Sequence, residues 1–202
     1  MNLEQVREKL GYQPLLLGAV ALLASAALAL ASEATRDAIA AAEAKDMRDS
    51  LAELLPQGFA DNDLLADKIE IDRNGAPLTV YRARSAGKVK GAVFRVAERG
   101  YAADIQILMA VDAEGRTLGV RVVKHAETPG LGDKIEVKKD AWIKSFDGKS
   151  LGDPAAEKWA VKKDGGVYDQ FAGATITPRA VVKAVKGGLA FFAGHRREIL
   201  GE

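Results

Sequence analysis

The hydrophobic and polar positions fall into three patterns along the chain: one long apolar stretch, a series of alternating segments, and a closing stretch with helical spacing. From Gly11 to Ser32 no residue is charged, and Leu15 to Leu30 is apolar apart from Ser25. A stretch of that length crosses a hydrocarbon core of about 30 Å as a helix, so residues 11–32 are predicted as a transmembrane helix. The following residues are rich in Ala, a strong helix former. Met47, Leu51, Leu54 and Leu55 stand at helical offsets before Pro56 and Gly58 end the pattern. This predicts a juxtamembrane helix over 33–58.

Strand-like alternation begins next. Lys68–Ile71 and Leu78–Tyr81 flank the turn signal Asp72-Arg73-Asn74-Gly75 and read as a hairpin. Val89–Ala97 and Asp104–Val111 read as two further strands, the second placing Ile105, Ile107, Met109 and Val111 on one side. After Asp112–Gly115 as a turn, Leu118, Val120 and Val122 alternate with Gly119, Arg121 and Val123. The result is an antiparallel meander that buries a face against helices.

A helix is predicted over 178–193, with Val181, Val182, Val185, Leu189 and Phe192 on one face and Arg179, Lys183 and Lys186 on the other. Between meander and helix, Trp159–Lys162 and Val167–Asp169 flank Lys163–Gly166 as a short hairpin. Trp142, Trp159 and Tyr168 read as core aromatics, with stacking on a bound ring as the alternative. The fold class is therefore α+β: a single N-terminal transmembrane helix, then an antiparallel-sheet domain with flanking helices over 59–202.

Composition narrows the chemistry. The 202 residues suffice for one domain and an appendage. With 29 basic and 28 acidic residues and no long run of one sign, no nucleic-acid partner is expected. The absence of cysteine removes thiol catalysis, disulfides, Cys-ligated zinc and iron–sulfur clusters. His125 and His195 are too few for a multi-histidine metal site, so neither a metal nor a catalytic residue is assigned, and redox work would need an organic cofactor. Arg7 and Lys9 precede the span, diluted by Glu4 and Glu8. The basic residues place 1–10 in the cytoplasm and the bulk of the chain across the membrane. A cleaved signal peptide is the competing reading, since Ala27-Leu28-Ala29 and Ala29-Leu30-Ala31 have cleavage-like spacing. Either way the remainder is exported.

Two stretches could carry chemistry. In Asp169-Gln170-Phe171-Ala172-Gly173-Ala174-Thr175-Ile176-Thr177, small residues let the backbone approach a ligand, and Gly173 can take a positive φ. Thr177 before Pro178 reads as an N-cap followed by the first helical residue. The start of that helix favours an anion beside Thr175, a phosphate above all. The plainer reading is a turn and a cap. Upstream, His125-Ala126-Glu127-Thr128-Pro129-Gly130-Leu131-Gly132-Asp133 leaves a strand as a preset loop. Its histidine and carboxylate could meet the edge of a bound ring, or merely flank a Pro-Gly turn.

Asp169 to Thr177 resembles the Asp-x-x-Ser/Thr-Gly-Ala-Thr-x-Thr signal of flavoproteins that carry FMN esterified through its phosphate to a threonine. These include the G subunit of the Rnf complex and the C subunit of the sodium-pumping Nqr complex. Asp169, Gly173, Ala174, Thr175 and Thr177 match, whereas Ala172 replaces the family's hydroxyl residue. His125 and Glu127 through Gly132 are similar to the same family's His-x-Glu-Thr-Pro-Gly-Leu-Gly loop, and the likeness covers roughly residues 91–185. A single preceding span fits the same arrangement.

The resemblance implies covalent FMN on Thr175, with Asp169, Gly173, Ala174, Thr177, His125, Glu127, Thr128, Pro129, Gly130 and Leu131 as cofactor-binding residues. It implies a separate flavin transferase that reads Asp169 and Thr177. It also implies an electron-carrier subunit at the inner membrane, lipid around the span, the FMN domain on the periplasmic side, and other membrane and peripheral subunits as partners. In that family the whole complex couples electron flow between ferredoxin and NAD to ion movement. The chain has neither Gly-x-Gly-x-x-Gly nor cysteine, so those steps fall to partner subunits. Its length, Ala172 and the Thr-Pro-Arg run after Ile176 favour the Rnf over the Nqr type. The alternatives are a membrane-anchored binding or assembly module without cofactor, and a stand-alone flavin reductase.

Overall fold

The computed structural model describes residues 12–73 and 75–202, so the expected cytoplasmic residues 1–10 and Asn74 of the first turn lie outside the described residues. The chain forms two compact units, divided between Met47 and Arg48. A helix, α1 (Tyr12–Leu54), accounts for the described part of the first and enters the second. The two helices predicted over 11–32 and 33–58 are thus one. Pro14 falls in its first turn, where the missing N–H costs nothing. Pro56 disfavours helical geometry at Leu55 and ends it.

Along the first unit, Leu15, Leu17, Leu22, Leu23, Leu28 and Leu30 are all exposed. The most apolar window has a mean hydropathy of 2.3 with none of it buried. Apolar residues on every side leave no polar face for water, and α1 is long and apolar enough to cross a membrane.

The second unit is built on a five-stranded antiparallel sheet in sequential order: β1 (Lys68–Arg73), β2 (Ala76–Ser85), β3 (Lys88–Arg99), β4 (Asp104–Asp112) and β5 (Thr117–Lys124). The predicted meander is present with every strand longer than expected, β2 most of all at 10 residues. Phe94 pairs with Met109, and Met109 with Val120, aligning the apolar rows. One face carries Phe94, Val96, Ile105, Ile107, Met109 and Val111, all at most 1% exposed. Over it lies α2 (Ile176–Leu200), buried through Val181, Val185, Leu189 and Phe192. Gly188 lets that helix approach, because a Cβ there would overlap the Met109 sulfur. Phe191 meets Phe94 edge-on at 5.4 Å.

The opposite face buries Val93, Leu108 and Ala110. There the last turn of α1 supplies Leu51 and Leu54, and Leu54 lies against Gly119. β1 is an edge strand whose exposed positions are Lys68, Glu70 and Asp72, with Ile71 buried between them.

Helix α2 departs from expectation at both ends. It starts at Ile176 rather than 178 and runs past 193 to Leu200, where Gly201, left-handed at φ 74°, caps it. The predicted end coincides with a kink at His195 (φ −115°, ψ 15°), beyond which Ile199 and Leu200 still reach the core.

Residues 125–175 contain four short 3-10 turns and no longer element. Lys149 and Gly148 bond Thr117 and so cover the start of β5. Trp142, Phe146, Trp159, Tyr168 and Phe171 form one aromatic cluster with neighbouring ring centroids 4.6–6.3 Å apart, so the core reading of these rings holds. Burial pushes the Tyr168 phenol well above its ordinary range. The hairpin predicted across 159–169 does not form. Val161 and Tyr168 make a parallel bridge around a 3-10 turn closed by left-handed Gly165. Packing of Trp159 and Tyr168 on Phe146 decides that path over strand propensity.

Candidate functional site

The turn before α2 is closed by Ala174 N–H donating to the Phe171 carbonyl at 3.2 Å, with Phe171 buried beneath it. Gly173 has φ 79°, a conformation in which a side chain is strained. Thr175 occupies the N-cap position of α2 at φ −71°, ψ −27°, and its hydroxyl makes no capping bond. That oxygen is free for other chemistry. Thr177, expected as the N-cap, lies inside the helix and is 1% exposed. Its hydroxyl donates a hydrogen bond to Glu127 Oε2. The local Thr-Pro signal is overridden by a buried carboxylate fifty positions away. Pro178 still lies in the first turn, where no N–H is required.

Glu127 is 5% exposed and fully engaged. Besides Thr177, its other oxygen accepts from the backbone N–H groups of Tyr101 at 3.0 Å and Ala102 at 3.3 Å. One carboxylate thus joins the β3–β4 turn, the loop after β5 and the start of α2. Two glycines make room for it. A Cβ on Gly100 would stand 2.5 Å from Glu127 Oε1, and one on Gly132 would stand 2.9 Å from the Thr177 hydroxyl.

Above this pair opens a pocket of about 220 Å³, lined by Tyr101, Glu127, Thr128, Leu131, Gly132 and residues 173–177. The two motifs singled out in the sequence therefore meet in space. Of the predicted site residues, Glu127, Thr128, Leu131, Gly173, Ala174, Thr175 and Thr177 line the pocket. His125, Pro129, Gly130 and Asp169 stand outside its wall. His125 Nε2 lies 3.0 Å from Glu136, and its Nδ1 accepts from the Glu127 N–H at 3.1 Å, so it braces the loop. Asp169 faces outward and pairs with Lys162 at 2.5 Å, while its carbonyl accepts from the Trp142 indole.

Sequence reasoning missed Tyr101, Gly132 and Ile176 as pocket residues, Gly132 although it belongs to the matched loop. Tyr101 is 66% exposed in a turn that needs no aromatic, and Ile176 is 48% exposed at the start of an amphipathic helix. Tyr101 and Ile176 are large exposed side chains without a place in their local pattern.

Electrostatically, α2 presents roughly half a positive charge at its start, with the Ile176 and Thr177 N–H groups in the unpaired first turn. The loop beneath is clipped by Lys139, which reaches Asp133 and Glu136 at 2.8 Å each. Lys139 beside them holds both carboxyls below the usual carboxylate range. A hydroxyl on a small-residue turn, at the start of a 25-residue helix and facing an open pocket, stands where an anionic group is favoured.

Residues 100–190 match the FMN-binding domain family, which spans the β3–β4 turn, both motifs and the first part of α2. The fold is similar to the crystal structure of NqrC from Shewanella oneidensis, with TM-score 0.50 and 22% identity over 72% of this chain and 74% of that one. It is likewise similar to the C subunit of the Na(+)-translocating NADH-quinone reductase from Parabacteroides distasonis, with TM-score 0.50 and 20% identity over 75% and 83%. The site thus belongs to a flavin-nucleotide domain.

Sequence relatives then narrow the class. The chain is 51% identical to the G subunit of the ion-translocating oxidoreductase complex from Cereibacter sphaeroides, over 92% of its own length and 85% of the relative's. It is 49% identical to the G subunit from Stutzerimonas stutzeri over 94% and 84%, and 48% identical to that from Pseudomonas aeruginosa over 92% and 90%. The chain belongs to the family of G subunits of ion-translocating oxidoreductase complexes.

Proposed function

We propose that this chain is the FMN-carrying electron relay of an Rnf-type ion-translocating oxidoreductase complex, with the FMN phosphate esterified to the Thr175 hydroxyl. The observation that carries the reading is the uncapped Thr175 oxygen at the lip of the pocket, directly ahead of α2. The first-turn N–H groups and the helix dipole favour a phosphate there. Gly173 and Ala174 leave it room. A pocket of about 220 Å³ is below the roughly 300–1,000 Å³ that enclose a whole small ligand, and suits one end of a nucleotide. Leu131, Ile176 and Tyr101 offer apolar surface at the rim.

When bound, FMN supplies one- and two-electron chemistry. The chain's own residues seat the phosphate, fix the turn and shield it from below. Thr175 accepts the modification and is no catalytic nucleophile, because a hydroxyl needs activation and His125 is committed to Glu136 and the Glu127 backbone. A separate flavin transferase therefore performs the attachment, and outward-facing Asp169 is placed for it to read. Residues 11–32 lie in the inner membrane, the remainder of α1 as far as Leu54 follows as its juxtamembrane part, and 59–202 face the periplasm. Other subunits of the complex deliver and take the electrons. A covalent bond suits an exported site, where a dissociated nucleotide would be lost.

The test is co-expression with a flavin transferase. The denatured chain should keep yellow fluorescence on a gel and gain the mass of one FMN less water, and Thr175→Ala should lose both. Retention of bound flavin by denatured Thr175→Ala, with loss in Thr177→Ala, would move the site by two residues.

A further inference from the structure

We infer that Glu127 and Thr177 act as one positioning pair, and that Thr177 serves FMN loading through Glu127 rather than by touching the flavin transferase. The inference rests on the function proposed above and assigns the pair a role within that site. Thr177 is 1% exposed and its hydroxyl is spent on Glu127, so an enzyme approaching the folded chain from outside does not reach it. Asp169, at the other end of the same motif, points to solvent with its side chain 68% exposed.

The pair is built as a closed unit. Glu127 takes donors from Thr177, Tyr101 and Ala102, so every contact of its carboxylate is within the protein. Gly100 and Gly132 both lie outside the left-handed region, and Gly132 is at φ −87°, ψ −19°. Backbone conformation does not require glycine at either position. What excludes a side chain is the Glu127 carboxylate together with Ile105 at Gly100, and the Thr177 hydroxyl together with the Glu127 Cβ at Gly132. Four residues from three segments thus converge on one buried hydrogen bond.

That bond sits two residues after Thr175, in the first turn of α2. It fixes the helix start against the loop and the β3–β4 turn, and so fixes the direction in which the Thr175 oxygen meets the pocket. A buried carboxylate that accepts several hydrogen bonds holds its geometry more firmly than a neutral cap does. The two motifs are in this respect a single device. Glu127 supplies the acceptor from one, and Thr177 supplies the donor from the other.

The experiment uses the full chain in membranes with flavin transferase, following covalent FMN by intact mass against time and, in the loaded protein, the visible circular dichroism of the flavin. Thr177→Val removes the donor at constant shape, and Glu127→Leu removes the acceptor outside the motif that the transferase reads. Each should slow loading by about tenfold or more, the equivalent of losing one buried charged hydrogen bond. The double variant should be no slower than Glu127→Leu alone, because once the acceptor is gone the loss of the donor removes no further bond. Thr177→Ser restores the donor and should load at the parental rate with the parental flavin spectrum. Glu127→Gln can keep an oxygen on the Tyr101 and Ala102 amides and turn its own N–H to Thr177, so it should stay within about threefold.

Should Glu127→Leu fail to fold, the circular dichroism of the flavin in loaded Thr177→Val decides: a changed signal that Thr177→Ser restores supports the inference, and a parental signal overturns it. Parental loading of a folded Glu127→Leu overturns the inference, as does an additive double variant. If the unsubstituted chain gains no FMN on Thr175, the proposed function itself fails. If it gains FMN and Glu127 variants are indifferent, only the pairing fails.

Discussion

The turn that carries Thr175 has an inner and an outer side, and the two are held by different physics. Beneath it, Glu127 and Thr177 are buried at 5% and 1% exposure, joined by one hydrogen bond with glycines cleared around them. Outside it, Lys162 pairs with Asp169 at 2.5 Å and Arg179 grips Asp164 through two bonds at 2.5 and 2.6 Å, with every one of these side chains 36–68% exposed. Buried polar contacts are costly to break, because the orphaned partner has no water to turn to. Exposed ion pairs contribute little, since water and salt compete. The inner side is thus fitted to fix position, and the outer side stays open to solvent.

The sharpest test of the contrast is at Thr175 itself, where alanine should abolish covalent FMN entirely while leaving the thermal midpoint of the domain unchanged, since its hydroxyl holds nothing else in place. Next come the clearing glycines. Gly100→Ala puts a methyl 2.5 Å from Glu127 and 2.8 Å from Ile105, and should destabilise the domain by about 1–3 kcal/mol in urea titration, as overpacking does. Thr177→Val should follow at about 1–2 kcal/mol, the cost of an unpaired buried acceptor.

Acid should have a smaller, graded effect. Lys139 holds the carboxyls of Asp133 and Glu136 below their usual range. Depressed folded-state values contribute stability above the unfolded range near pH 4, lost as pH falls through the depressed values. The urea midpoints of the parent and Lys139→Met should therefore differ at pH 7 and converge as the pH falls below the carboxylate range. Smallest of all, Asp164→Asn should leave the midpoint unmoved in 0.15 M salt. A marked drop there would erase the distinction between the two sides.

Much of this was readable in the sequence because local patterns and packing agree. The rows Ile105-Ile107-Met109-Val111 and Leu118-Val120-Val122 announce strands, since sheets bury alternate residues. Val181, Val185, Leu189 and Phe192 announce the helix over them. The two motifs likewise pointed to Thr175 and Glu127, and the chain's relatives share the family they suggested. What escaped depends on distance in space. Thr177 looked like a cap because Thr-Pro is a local signal, and only the fold brings Glu127 beneath it. The helix was expected to end at 193, where its apolar spacing stops at Phe192, yet Ile199 and Leu200 draw it on to the core. Tyr101 and Ile176 carry no local mark of a pocket, because a wall is made of residues from unrelated segments. The hairpin before the turn yielded to a ring cluster that no alternation encodes.

The strand that ends the sheet, β1, shows Lys68, Glu70 and Asp72 outward with Ile71 tucked between them. A second molecule trying to extend the sheet in register would have to set like charges against one another and strip water from them. For a chain confined to two dimensions, where neighbours collide often, such an edge opposes runaway stacking into fibrils and keeps each copy free to find its own complex.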